Sequence, residues 1–342
     1  MRGIINACVF SRILCILNDK NLKVVQMNDT QTLDEILNIE HPILVAPMFL
    51  ISNTEMVIAA LNSGCTAAFP ALNYRTDKEL RNAINDIKNA SDKAFGVNLI
   101  VNRSNPKYKS QLRTLLELNV DYIITSLGSP KEVIDLCQPL GIKVFCDVTD
   151  LKYAKKVEDL GADALIAVNS GAGGHCGQLS ASELIKQLKE NTKLPIISAG
   201  GISNSKEIRE VMDWGAAGVS VGTIFIACKE SRIAKEYKAA MIQYGSKDIV
   251  KTSKLTGSPL TVINTPYVQK IGTKMTILEW LVNNSSLFKR YAKMILAWKG
   301  VNKVKKAAFK AGYQNVWCAG PSIESVHQIR STSEIINDLI RQ

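Results

Sequence analysis

The chain has 342 residues, 46% of them hydrophobic and 21% charged, which excludes a disordered chain and leaves room for one large domain or two ordinary ones with a substantial core. Its formal charge of +11 implies attraction to anions without choosing among phosphorylated cofactors, acidic partners, nucleic acid and membrane surface. Eight cysteines with no Cys-x-x-Cys pair exclude a small disulfide scaffold and a clustered zinc site, so free thiols in a reducing cytoplasm and no bound metal are expected.

Residues 1–26 do not share the pattern of the rest of the chain. The apolar stretch from Gly3 to Leu17 is broken by Arg12, is too short to span a bilayer, and leads to no clean small-residue cleavage site. It reads as a disordered or loosely attached extension, with the compact protein beginning near Met27. From there short apolar runs alternate with amphipathic segments of helical length. Strands are expected at Pro42 to Met48, Thr66 to Phe69, Phe95 to Val101, Val120 to Thr125, Ile142 to Cys146, Ala164 to Val168, Pro195 to Ser198 and Ala217 to Val221. Helical sequence comes after each, starting behind caps such as Asn53 and ending with Ser231 to Tyr244 after the eighth strand.

Eight strand-helix units at a spacing of roughly 25 to 30 residues fit a (β/α)8 TIM barrel over 27–244. An open doubly wound sheet uses the same local pattern, but the count favours closure. In a barrel, the loops after strands one, three, six, seven and eight open on one face, and those loops carry the unusual residues. Beyond 245 the rhythm stops. A mainly helical C-terminal region, 245–342, is expected, with helices over Ile277 to Val282, Phe288 to Ala311 and Ser333 to Ile340. Between Trp280 and Ile323 there is no acidic residue, while eight lysines and arginines fall between Lys289 and Lys310. That stretch reads either as a solvated helix face or as a dock for an acidic partner.

Two glycine turns carry the first chemical signal. Ala199-Gly200-Gly201-Ile202 comes after strand seven and Gly222-Thr223 after strand eight, where barrels commonly place a phosphate on bare backbone N-H groups. A second signal is Asn169 to Gln178, a glycine-rich loop after strand six that holds His175, one of three histidines. Glycine lets backbone approach a ligand closely, and a histidine there can move protons near neutral pH. The run Gly171-Ala172-Gly173-Gly174-His175-Cys176-Gly177 fails as a dinucleotide fingerprint, because position 176 is Cys and the run sits late in the chain.

Taken together, Ala46-Pro47-Met48, Gly96-Val97-Asn98, Gly173-Gly174-His175, Ala199-Gly200-Gly201-Ile202 and Gly222-Thr223, in that order on those strands, resemble the nitronate monooxygenases, formerly 2-nitropropane dioxygenases. The related flavin-type enoyl-acyl carrier protein reductases share much of the pattern. The resemblance covers roughly residues 38 to 330. It implies FMN, with Ala46, Pro47 and Met48 against the isoalloxazine ring, Asn98 at its edge, and Gly200, Gly201, Gly222 and Thr223 at the phosphate. It also implies that Gly173 and Gly174 line the site, that His175 faces the substrate, and that Ala319 and Gly320 belong to a 317–322 loop returning to the cofactor. Two departures stand out: Pro321 where the family often has Gln, and Cys176 where Arg is frequent.

The expected activity is oxidation of alkyl nitronates with O2 to carbonyl compounds and nitrite, with His175 as hydrogen-bond donor or proton acceptor. The alternative is an FMN- and NAD(P)H-dependent enoyl-acyl carrier protein reductase, which the basic stretch would suit as a dock for an acidic carrier protein. No zinc finger, recognition helix or RNA-binding aromatic motif supports nucleic acid, and no segment supports a membrane span. Trp280, Leu281, Ile295, Leu296 and Trp298 could cover the barrel or a second subunit of a homo-oligomer.

Overall fold

The structure is a computed structural model that describes residues 31–102, 105–253, 259–273 and 316–341. The expectations for residues 1–26, for the helices over 277–311, for the basic stretch and for the apolar residues 280–298 lie outside the described residues.

Eight parallel strands close into a barrel: β1 (Ile43–Val45), β2 (Thr66–Pro70), β3 (Gly96–Ile100), β4 (Tyr122–Ser126), β5 (Lys143–Val148), β6 (Ala164–Val168), β8 (Ile196–Ala199) and β9 (Gly218–Val221). Closure is made by β9 against β1, with Val219 level with Ile43 and Val221 level with Val45. The strands are short, β-branched and apolar because both faces are covered. One face meets the helices. The other fills the barrel with Leu44, Ala68, Tyr122, Ile124, Phe145, Ala164, Ile166, Ile197 and Ala199. Tyr122 stacks on Phe145 at 4.8 Å between ring centroids and shares a 2.8 Å hydrogen bond with Thr66. Gly96 makes room for it, since a Cβ there would lie 2.0 Å from the Tyr122 ring.

The short helix α1 (Leu33–Leu37) plugs the N-terminal end of the barrel with Leu33 and Leu37, and Leu33 donates to the Ala217 carbonyl at 2.7 Å. Seven helices surround the strands: α2 (Thr54–Asn62), α3 (Asp77–Ala90), α4 (Tyr108–Glu117), α5 (Lys131–Cys137), α6 (Leu151–Asp159), α7 (Ala181–Asn191) and α8 (Ser205–Asp213). Their starts obey the capping chemistry of the sequence. Asn53 accepts from Met56 N at 2.9 Å, and Thr76 with Glu79, and Ser180 with Glu183, form capping boxes.

The eighth helical place is filled differently from the expectation. The segment α9 (Lys235–Gln243) comes after β9, but the helix that packs between α2 and α8 is α11 (Thr332–Ile340), from the C-terminus. Ser333 Oγ lies 3.0 Å from Ser63 Oγ, and Glu230 accepts from Thr332 N at 2.9 Å. The barrel's helical ring is thus completed by chain nearly 90 residues beyond Tyr244. After β9 the chain turns in a short 3-10 helix, Thr223–Phe225, ahead of α9.

In the region expected to be mainly helical, an antiparallel pair forms, β10 (Ile249–Thr252) and β11 (Leu260–Ile263). A third strand, β7 (Gly174–His175), is added from the glycine-rich loop, with His175 opposite Leu260 and Gly174 opposite Thr261. This small sheet, continued by α10 (Pro266–Ile271), stands at the C-terminal end of the barrel.

Candidate active site

A cavity of about 660 Å3 opens at the C-terminal ends of the strands, within the range of cofactor and substrate sites. Of the residues named from the sequence, Ala46, Pro47, Met48, Asn98, Gly173, Gly174, His175, Gly200, Gly201, Gly222 and Thr223 all line it. Ala319 and Gly320 do not. They form a buried layer behind the wall, where Gly320 N donates to Thr223 Oγ1 at 3.0 Å. Their neighbours Cys318 and Ser322 line the cavity.

One end of the cavity is made of backbone. Gly200 has φ +116°, and a Cβ there would stand 2.4 Å from Ala172 N. Gly201 has φ +82° and open space beside it, a conformation and a clearance that suit a ligand oxygen approaching the amide. Asn169 locks the two loops together: its Oδ1 accepts from Gly171 N at 2.8 Å and its Nδ2 donates to Gly200 O at 3.0 Å. A Cβ on Gly222 would meet Ala46 and Met48 at 3.5 Å, which brings the first-strand loop to the same corner. Among the described residues no Lys or Arg lines the cavity, so at this corner they offer an anion only neutral donors.

His175 stands on β7 with its backbone paired to Leu260, and Thr261 Oγ1 fixes the same loop through the Ala172 carbonyl at 2.6 Å and the Gly174 carbonyl at 3.2 Å. The imidazole is reached by solvent through the open cavity yet is ringed by protein, and this loss of hydration lowers its pKa below the usual 6.5. It is a neutral imidazole at pH 7, able to accept a proton. Cys176 next to it is buried, and burial pushes its thiol up, so it is an inert thiol rather than a nucleophile.

The opposite wall holds residues that the sequence reading passed over. Asn98 Nδ2 donates to Ser126 Oγ at 2.6 Å, and Ser126 Oγ donates to Asp147 Oδ2 at 2.5 Å. Three successive strands thus give one polar side chain each, bonded in a row. Burial raises the Asp147 carboxyl from 3.8 to about 6. A signal did exist. Each of the two overlooked residues, Ser126 and Asp147, is a polar residue at the C-terminal end of an apolar strand, where barrels place their chemistry.

A closed barrel with paired glycines at one end of a broad, largely apolar cavity and a histidine on its wall has the architecture of a barrel enzyme with a cofactor-sized site at its C-terminal face. The family profile described as nitronate monooxygenase matches residues 30–342, and the chain belongs to that family, a family of flavin-dependent oxidoreductases. Among curated relatives, one from Rhodococcus jostii is 29% identical over 75% of this chain and 72% of its own. It is named (3aS,4S,5R,7aS)-5-hydroxy-7a-methyl-1-oxo-octahydro-1H-indene-4-carboxyl-CoA dehydrogenase. A nitronate monooxygenase from Pseudomonas aeruginosa is 26% identical over 62% of this chain and 73% of its own. FabK from Thermotoga maritima superposes with a TM-score of 0.78 at 27% identity, covering 91% of this chain and 95% of that one. A nitroalkane oxidase from Streptomyces ansochromogenes, at 21% identity and TM-score 0.74 over 90% and 96% of the chains, supports the fold. Among the described residues no helix is long and apolar enough to cross a membrane.

Proposed function

We propose that the chain is an FMN-dependent oxidoreductase that oxidises nitroalkanes or their nitronates with O2 to carbonyl compounds and nitrite. The observation that carries this reading is the neutral His175 on the cavity wall, fixed by β7 and β11. The flavin, when bound, supplies the redox chemistry. Its phosphate is assigned to the amides at Gly200, Gly201, Gly222 and Thr223, and its ring to the wall made by Ala46, Pro47 and Met48.

His175 then takes the α-proton of a neutral nitroalkane, or donates to the nitro group once protonated. Because no Lys or Arg lines the described cavity, the uncharged nitroalkane enters with the smaller desolvation cost. The test is direct. Purified protein should show a flavin spectrum, and nitroethane should drive O2 uptake with release of nitrite. Flavin-loaded protein that consumes neither nitroethane nor its nitronate would overturn the reading.

A second reading has its own observation. Phe49, Leu72 and Leu127 form an apolar rim to the cavity, and Leu127 is 50% exposed with φ +59°, a conformation that costs about 1–2 kcal/mol for a non-glycine residue. Such a rim suits an acyl or ring substrate carried as a thioester, the kind of substrate in the name of the Rhodococcus jostii relative. NAD(P)H oxidation with a crotonyl thioester, or anaerobic bleaching of the flavin by a hydroxyacyl-CoA, would establish it. The same assays run with an acidic carrier protein test whether such a partner docks.

A further inference from the structure

The cavity has a backbone end on β8 and β9, an apolar wall after β1, and a row of polar side chains on β3, β4 and β5. A flavin ring has one polar edge, carrying its ring carbonyls and imide N-H, and one apolar dimethylated edge. Only the polar edge would offset the desolvation of Asn98, Ser126 and Asp147. Asn98 spends its amide N-H groups on Ser126 Oγ and on the Ile124 carbonyl at 3.3 Å, and Ser126 spends its O-H on Asp147. The row therefore runs towards the acid, and among the described residues the Asp147 carboxyl receives no other hydrogen bond and no cation.

We propose that Asp147, held by Ser126 and Asn98, faces the polar edge of the bound flavin and sets the charge there. This rests on the flavin reading of the cavity. An ionised carboxyl at that edge opposes negative charge gathering on it, whereas a protonated one donates to it. The other titratable groups on the cavity wall are His175 from β7, Asp150 and Tyr153 from the start of α6, Tyr237 from α9, and Cys176 and Cys318 from the adjoining loops. The Tyr153 hydroxyl donates to the Gly128 carbonyl.

Sulfite is a suitable probe because it adds to an oxidised flavin through a new S-N bond and leaves the displaced electron pair on the polar edge. With FMN-loaded protein at pH 8, Asp147→Asn should bind sulfite about tenfold more tightly than the native protein, as removing one nearby charge in a cavity demands. At pH 5 the two should converge, since the native carboxyl, raised to about 6, is then protonated. The charge state of His175 acts on both proteins alike and cancels in the ratio. A second measurement needs no variant: the visible band of the native flavin should shift with pH about a midpoint near 6, and Ser126→Ala should move that midpoint upwards. Equal sulfite affinities at pH 8, or a band unmoved between pH 5 and 8, would overturn the proposal while the flavin site stands. A native protein that binds no flavin after addition of FMN would remove both.

Discussion

The two ends of the cavity are built by opposite means. At β8 and β9 the wall is main chain: Gly200 and Gly201 at positive φ, tied down by Asn169 and, behind them, by the 317–322 loop. At β3, β4 and β5 it is side chain: Asn98, Ser126 and Asp147 in a bonded row. The first end is specific in shape and neutral in charge, and a single added methyl would destroy it. The second keeps its shape under conservative substitution and changes its charge instead. His175 belongs to neither set of contacts and is held through its backbone pairing with Leu260, so truncating its side chain leaves both ends in place.

That independence gives the largest expected effect. His175→Ala should lower turnover by about 10²–10⁴, or about 3–5 kcal/mol of barrier, while the flavin stays bound. Steady-state kinetics beside a visible spectrum measure both quantities. Turnover near the native rate would assign the histidine to loop structure. Because burial lowers the His175 pKa, the acid limb of kcat/KM should lie below pH 6.5, and an acid limb above that value would deny it the role of proton acceptor.

The next effect sharpens the shape argument. Gly200→Ala places a Cβ 2.4 Å from Ala172 N at φ +116° and should cost about 3 kcal/mol and flavin affinity together. Gly201→Ala meets no atom within 4 Å in the protein, so its stability cost should be about 1 kcal/mol, from φ +82° alone. Flavin affinity should nonetheless fall sharply, because the new methyl occupies the space in front of the amide. Thermal unfolding with and without added FMN separates the two costs.

The same contrast explains how much of the molecule was legible in its sequence. Glycine pairs after apolar runs betray a main-chain wall, because few other residues tolerate those dihedrals, so the residues at the backbone end of the cavity could be named from the sequence. The polar row could not. It is spread over residues 98 to 147, and only the pairing of β3 with β4 and of β4 with β5 brings its members within hydrogen-bond reach. The expected strands also ended at Thr125 and Cys146, each one residue short of the side chain that mattered, since a polar residue at a strand end looks like the start of a loop. Strand count and order were legible from periodicity. The helix closing the ring, Thr332–Ile340, was not, because nothing local in a capped amphipathic helix states which gap it will fill.

Asp147 provides a smaller effect with a definite sign. Its folded pKa, about 6, lies above the ordinary 3.8, so the folded state holds the proton more tightly than the unfolded chain does. The destabilisation is therefore complete above about pH 6 and absent below about pH 4. Allowing for water in the open cavity, the cost is about 2 kcal/mol. Without added flavin, Asp147→Asn should be more stable than the native protein by about that amount at pH 7.5, with the difference closing as pH falls to 4. Equal unfolding midpoints in denaturant at both pH values would show that Asp147 is hydrated after all.

The smallest effect asks whether the backbone end stands on its own or needs the C-terminal loop behind it. Thr223 Oγ1 accepts from the buried Gly320 N at 3.0 Å, a contact that joins the β9 turn to the 317–322 loop. Thr223→Val keeps the shape and removes the acceptor, leaving a buried amide unpaired at a cost of about 1–2 kcal/mol. Thr223→Ser restores the oxygen and should recover most of it. If the cradle depends on the loop, flavin affinity will fall in the Val variant by more than its loss of stability explains and return in the Ser variant. If it does not, both variants will bind flavin as the native protein does, and the backbone end will prove to be set by Gly200, Gly201 and Asn169 alone.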